Sequence, residues 1–200
     1  LFRSNVSSSI APLKELALSG AAPLGRLHAL WTLEGMSQLD AATLTTVLEK
    51  EQHPKVRAAA IRLSEPFLKT ADKDKLLPKL LALASTKNFD LQAQLAFSLG
   101  QTTDPRAEAA IASIARGSGT NAIIREALIS GLVGRELEMI ERVSTDKNWR
   151  DSKPGNDGFI GALAKVLFAQ ARGERVNKLL ARIAAPETPH WLAVAVLSGV

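Results

Sequence analysis

The side chains of this chain that could carry out chemistry are few and lie far apart in the sequence. Cysteine is absent, which excludes disulfides, thiolate metal sites, cysteine nucleophiles and covalent haem attachment. The three histidines, His28, His53 and His190, have no second ligand at metal-binding spacing, so we expect no metal site. Glu34 and Glu65 occupy equivalent positions in the repeat described below, about 10 Å apart by helix-packing distances, and we expect solvated carboxylates rather than an acid–base pair. The chain is therefore expected to catalyse no reaction and to bind no cofactor.

Basic residues are the remaining chemical signal. The chain has 25 Lys and Arg against 20 Asp and Glu, a net charge of +5, and an isoelectric point near 9.7. The excess is spread over both halves of the chain, without the concentrated basic face that is typical of nucleic-acid-binding proteins. Arg26, Arg57 and Arg125 could bind phosphate. Alternatively, each pairs with an Asp side chain or a main-chain carbonyl of a neighbouring unit of the repeat described below and so ties the repeats together, and we expect this structural role.

Composition favours a folded, helical protein. The hydrophobic fraction is 46% and the charged fraction 22%, which is the balance of a folded chain, and the abundant Ala and Leu favour helices. No segment approaches the ~20 apolar residues that a membrane-spanning helix needs, so we expect no membrane insertion. The chain starts at Leu1 rather than Met. We expect residues 1–200 to form a single repeat domain, monomeric, taken from a longer protein.

An internal repeat decides the predicted fold. A turn, an Arg or polar residue and an Ala/Leu-rich helix recur at intervals of 31 to 35 residues, more weakly in the last two copies. We call the recurring residue the anchor position; it is occupied in turn by Arg26, Arg57, Gln92, Arg125, Ile160 and Leu192. The residues three and four positions after the anchor are small or aliphatic in every copy, as required of a helix that packs between two neighbours.

A second set of apolar stripes with helical spacing alternates with these repeat helices. Asp40 and Asp104 are expected to cap two of them, and Pro78 is expected to kink or restart another. No segment shows the period-two alternation of a β-strand. The sequence therefore predicts an all-α fold, an α-solenoid of about six antiparallel helix pairs.

The turn of the clearest copy, His53-Pro54-Lys55-Val56-Arg57-Ala58-Ala59-Ala60, resembles HEAT-like repeats of the armadillo-type superhelix class. The Trp, Leu-Gly and Tyr pattern of tetratricopeptide repeats is missing. Residues 26–35 and 56–66 look like the HEAT segment of large bacterial proteins that join a sugar-dehydrogenase-like β-propeller, HEAT repeats and a c-type cytochrome. That resemblance implies an exported, periplasmic parent protein with redox chemistry on other domains.

Three residues five positions after the anchor are candidates for partner binding. Trp31, Arg62 and Phe97 hold this position in the first three copies. On the concave side of a solenoid they would form an aromatic–cationic stripe, a composition that interfaces favour. Alternatively, Trp31 and Phe97 belong to the hydrophobic core.

A second candidate surface is the connection formed by residues 144–158, between one helix that ends near Val143 and another that starts near Phe159. Fifteen residues would be long for a helix–helix connection, where ~2–8 is usual. An exposed Trp149 with Arg150 beside it would be a typical contact site. Alternatively, Trp149 folds back over the neighbouring repeat.

The sequence thus favours a non-catalytic scaffold that binds a protein partner, or neighbouring domains of the same polypeptide, on a concave surface. The alternative is a nucleic-acid-binding solenoid, as in HEAT-like DNA glycosylases, which the high isoelectric point suggests. A third hypothesis is a lyase-type HEAT enzyme that acts on a chromophore; it requires a deep pocket with converging titratable groups.

Overall fold

The structure, a computed structural model, describes residues 3–151 and 153–199. These residues form twelve α-helices and two short 3₁₀ helices, with no β-strand among them, which confirms the all-α prediction. The first six helices are α1 (Arg3–Ser19), α2 (Pro23–Gly35), α3 (Ala41–Lys50), α4 (Pro54–Leu63), α5 (Lys73–Ala82) and α6 (Phe89–Leu99). The other six are α7 (Pro105–Ser118), α8 (Ala122–Ser130), α9 (Glu136–Thr145), α10 (Pro154–Ala169), α11 (Gly173–Ile183) and α12 (His190–Leu197). The 3₁₀ helices are Glu65–Lys69 and Lys147–Trp149.

The described residues up to Thr102 form one compact unit, here called the N-terminal unit. Within it α1, α3 and α5 contact one another in chain order, and α2, α4 and α6 do the same. In addition, α1 packs on α2, and α3 packs on α4. Contacts therefore join helices that are adjacent or next but one in the chain.

The described residues from Thr103 onwards form a second compact unit, the C-terminal unit. Here α8, α10 and α12 are in contact in chain order, as are α7, α9 and α11. The 16-residue helix α10 also contacts all five other helices of the unit. It is therefore the central element of that unit's core. The expectation of a single domain over residues 1–200 stays a prediction.

Side-chain caps and prolines define where helices begin. Asp40 Oδ1 accepts a hydrogen bond from the Thr43 main-chain N–H at 2.7 Å, and Asp104 accepts one from the Arg106 N–H at 3.0 Å, so both predicted N-caps are confirmed. Helix α5 runs through Pro78 without restarting there. The restart that the sequence suggested is therefore wrong.

Burial follows the repeat register in all six copies. The residues three positions after the anchor are at most 3% exposed: Ala29, Ala60, Leu95, Leu128, Leu163 and Ala195. Those four positions after it are at most 5% exposed: Leu30, Ile61, Ala96, Ile129, Ala164 and Val196. The predicted packing columns are thus buried throughout, because each repeat helix turns the same face towards its neighbours.

The connection between α9 and α10 is shorter than the sequence suggested. Helix α9 continues to Thr145, and α10 already begins at Pro154 instead of near Phe159. Proline at the first helical position needs no backbone N–H partner, which explains the early start. Residues 147–149 form a 3₁₀ turn inside the connection, and Ser152 lies outside the described residues. The expectation of a fifteen-residue connection is therefore wrong.

Candidate functional site

Trp31 and Arg62 lie against each other on the surface of the N-terminal unit. Trp31 belongs to α2 and is 39% exposed, and Arg62 belongs to the neighbouring helix α4 and is also exposed. The Arg62 Cζ atom lies 5.8 Å from the centroid of the Trp31 ring, within the range of a cation–π contact. The helix register predicted by the sequence therefore brings these two candidates together.

Phe97 extends the same row onto α6 and is 46% exposed, so the assignment of Trp31 and Phe97 to the core is wrong. The residue five positions after the anchor is in fact exposed in every copy: Trp31, Arg62, Phe97, Ser130, Lys165 and Leu197. Phe97 itself does not line the groove described next. A role of these residues in partner binding stays a prediction.

A groove of about 540 Å³ opens beside the Trp31–Arg62 pair. Its volume lies in the range of sites that bind a small molecule or a short peptide segment. The walls combine apolar surface with charges of both signs. The lining side chains are Trp31, Glu34, Ser37, Leu39, Arg62, Leu63, Glu65, Pro66, Phe67, Lys69 and Gln101.

Glu65 is held in place at the wall of this groove by helix α6. Its Oε1 atom accepts hydrogen bonds from Ser98 Oγ at 2.7 Å and from Gln94 Nε2 at 3.3 Å, and Ser98 is fully buried. Neutral donors thus position one carboxylate oxygen without neutralising its charge. Glu34, also on the groove wall, is exposed.

The sequence placed Glu34 and Glu65 in equivalent positions but assigned them no joint role. Both line one groove because they lie near the C-terminal ends of the contacting helices α2 and α4, and the 3₁₀ helix that follows α4 completes the wall. Pro66 lacks an N–H and cannot continue α4, and the resulting turn places Phe67 and Lys69 on the groove. The dipeptide Glu65-Pro66 was the available signal, since Pro after a helix marks a change of direction.

The groove lies where three repeat helices end. Glu34 is in the last turn of α2, Arg62 and Leu63 are in the last turn of α4, and Gln101 follows the end of α6 by two residues. Helix C-termini carry partial negative charge. Ser37, which follows α2, has a left-handed backbone with φ of 56°.

The anchor residues of the first four copies are structural. Each donates a side-chain hydrogen bond to a main-chain carbonyl at or near the C-terminal end of the preceding odd-numbered helix, where a donor is favourable. The donor–acceptor pairs are Arg26 to Gly20, Arg57 to Leu48, Gln92 to Thr86 and Arg125 to Gly119, at 2.7, 3.0, 3.3 and 3.1 Å. These bonds join the two helices of one pair. Arg26 alone also reaches the next pair, through Glu51, so a tie between repeats by Arg57 and Arg125 stays a prediction.

A second, smaller hollow of about 280 Å³ contains Arg26 and Glu51. Arg26 Nε and Nη2 donate to the two carboxylate oxygens of Glu51 at 2.6 and 2.9 Å. The hydrogen bond from Arg26 holds the pKa of Glu51 below its ordinary value, against the opposing effect of burial, and the bond to Glu51 raises the pKa of Arg26. The two charges neutralise each other, so neither Arg26 nor Glu51 is available to bind a charged ligand in the hollow.

Trp149 is buried, which contradicts its prediction as an exposed contact residue. It is 2% exposed, and its ring centroid lies 6.1 Å from that of Phe159, the fully buried aromatic of α10. The indole therefore packs against Phe159 of α10 instead of facing solvent. Arg150 remains exposed, and its main-chain oxygen accepts a hydrogen bond from Trp191 Nε1 at 2.9 Å.

Other types of site are not formed by the described part of the chain. In residues 3–151 and 153–199 no three side chains of His, Asp or Glu come together as metal ligands. None of the helices described there has the length and apolar character to cross a bilayer. Comparisons with known proteins return no match to a family model, a curated sequence or a solved structure. The likeness to HEAT-like repeats therefore stays a prediction from the sequence.

Proposed function

We propose that this chain is a HEAT-like α-solenoid of about six antiparallel helix pairs that binds a protein partner and catalyses no reaction. Two observations support the architecture. Within each unit, odd-numbered helices contact odd-numbered ones in order and even-numbered helices contact even-numbered ones. The packing columns are buried at the same register in all six copies, as expected when each pair supplies part of its neighbour's core.

The binding function rests on one observation, the exposed Trp31–Arg62 pair beside the groove. Trp and Arg are the residues most enriched among side chains that dominate binding energy at protein interfaces. Here they stand on consecutive repeat helices, next to a concavity with apolar walls. A rigid helical scaffold keeps the cost of ordering such side chains low on binding.

The proposed partner is a peptide segment, from a separate protein or from a neighbouring domain of a larger exported bacterial redox protein of the kind that the resemblance implies. Nucleic acid is the alternative, since the net charge is positive. The groove itself carries two carboxylates, Glu34 and Glu65, beside Arg62 and Lys69. A phosphate backbone would be repelled by these carboxylates.

Selection of peptides from a random display library tests the proposal. The purified chain is the bait, and selected peptides are measured against Trp31→Ala and Arg62→Ala by fluorescence anisotropy. We expect enriched peptides to lose at least about tenfold in affinity with Trp31→Ala, the effect of removing a central interface aromatic. Phe89→Ala is the matched control, because Phe89 is 44% exposed on α6 and lies outside the groove lining.

Two results would overturn the proposal. One is a selection that enriches no peptide. The other is a set of peptides whose affinity is unchanged by both groove variants. Binding of a generic DNA or RNA duplex that weakens steeply with added salt would instead support the nucleic-acid alternative.

A further inference from the structure

We infer that the groove selects a partner segment with a basic side chain, Arg or Lys, next to an apolar residue. The inference rests on the proposed function and names the chemistry of the partner. The basic side chain would lie between Glu34 and Glu65, and the apolar residue against Leu39, Pro66 and Phe67.

The first argument is that the two carboxylates of the groove have no cationic partner. Neither Glu34 nor Glu65 takes part in an ion pair within the described residues, and Glu65 is bonded there only by the neutral groups of Ser98 and Gln94. Other carboxylates of the described residues do form an ion pair, as Glu51 does with Arg26. Two carboxylates on one concave wall, Glu65 held by α6 and Glu34 exposed, favour a cation between them.

The second argument is the orientation of the helices. The groove receives the C-terminal ends of α2 and α4, with Gln101 just beyond the end of α6. Each of these helix ends adds partial negative charge to the wall, which favours a bound cation and disfavours an anion.

The third argument concerns the cations already at the groove. These are Arg62 and Lys69. Arg62 has its guanidinium over the Trp31 ring at 5.8 Å and Lys69 is exposed, and within the described residues neither forms an ion pair with Glu34 or Glu65. An aromatic ring, two carboxylates and apolar walls together match a side chain that combines a cationic head with an aliphatic stem, as Arg and Lys do.

Three labelled peptides of equal length test the inference by fluorescence anisotropy with the intact chain. One carries Arg next to Leu, the second has Gln in place of each Arg, and the third has Glu. We expect the Arg peptide to bind at least about tenfold more tightly than the Gln peptide and the Glu peptide to bind most weakly. We expect Glu34→Gln and Glu65→Gln each to weaken the Arg peptide about three- to tenfold and the Gln peptide hardly at all.

Glu15→Gln is the matched control, because Glu15 is an exposed carboxylate on α1, outside the groove, and circular dichroism verifies that every variant is folded. The inference is wrong if the Gln or Glu peptide binds as tightly as the Arg peptide, or if Glu34→Gln and Glu65→Gln leave the Arg peptide unaffected. If such peptides still lose affinity with Trp31→Ala, the proposed function survives and only the charge preference fails. If no peptide of any charge binds, both are contradicted.

Discussion

Arg26 and Glu51 form a two-pronged ion pair that joins α2 to the link between α3 and α4. The bonds from Arg26 Nε and Nη2 measure 2.6 and 2.9 Å, and the Glu51 side chain is only 6% exposed. Glu51 Oε1 also accepts a hydrogen bond from the main-chain N–H of His53 at 2.7 Å. One carboxylate thus fixes both the neighbouring helix and the turn that begins α4.

Glu51→Gln should destabilise the protein by about 1–3 kcal/mol at neutral pH, since it removes a charge-assisted hydrogen-bond acceptor that is largely buried. The pKa of Glu51 is lowered in the folded state, so its stabilising effect is complete above the unfolded-state value, about 4.3. It disappears as the pH falls through the lower folded-state pKa. Urea denaturation of both proteins at a series of pH values measures the difference.

The control for this comparison is Glu15→Gln, an exposed position on α1, which we expect to change stability by less than about 0.5 kcal/mol. A stability difference between wild type and Glu51→Gln that stays constant down to pH 2 would contradict the assigned ion pair.

Trp149→Ala should destabilise the protein by about 3–5 kcal/mol, because it opens a cavity in the core of the C-terminal unit next to Phe159. Trp31→Ala removes an exposed ring and a surface cation–π contact, worth about 0.5–1 kcal/mol. Denaturant unfolding followed by circular dichroism compares the two. Equal losses for the two variants would show that the assigned burial of the indoles is wrong.

The sequence predicted the helices and their buried faces because burial repeats at a fixed register. The small or aliphatic residues three and four positions after each anchor predict the buried face in every copy. This includes the two copies whose anchor is the apolar Ile160 or Leu192. These features depend on local periodicity and therefore can be read from one chain. For Trp31, one residue further along the helix, the same register left open whether the ring is exposed or belongs to the core.

The groove was not predicted, and the sequence left open whether Trp149 is exposed or folds back over a neighbouring repeat, because both features depend on where a short turn ends. The sequence placed Glu34 and Glu65 one repeat layer apart but gave no sign of the wall that Pro66, Phe67 and Lys69 of the 3₁₀ helix add to the groove. Trp149 packs on Phe159 of α10, a helix that starts at Pro154, five residues earlier than the apolar stripe suggested. Proline at both points was visible in the sequence, but whether it ends or begins a helix is decided by tertiary packing.

Gly119→Ala should destabilise the C-terminal unit by about 1–3 kcal/mol, the usual cost of overpacking. A Cβ atom at this position would clash with the carbonyl oxygen of Ala115 in α7 and lie 2.6 Å from that of Gly155, so the end of α7 would have to shift and α7 and α10 to separate locally. Gly117→Ala is the matched control two residues earlier, where a Cβ meets nothing within 4 Å. It should stabilise α7 by up to about 1 kcal/mol, since Ala is the better helix former. Thermal unfolding of both variants compares their stabilities with that of the wild type. A Gly119→Ala variant that is more stable than the wild type would exclude the close approach of α7 and α10.

Ala171→Gly should stabilise the protein by about 0.5–1 kcal/mol, an unusual direction for a change to glycine. Ala171 follows α10 with φ of 51°, in the left-handed region where a Cβ atom costs energy and glycine does not. Ala169→Gly, in the last helical position of α10, is the control and should destabilise by about 0.5–1 kcal/mol through the poor helix propensity of glycine. Chemical denaturation of the two variants measures whether their free energies of unfolding change in opposite directions. If both variants lost stability equally, residue 171 would not adopt the left-handed conformation that ends α10.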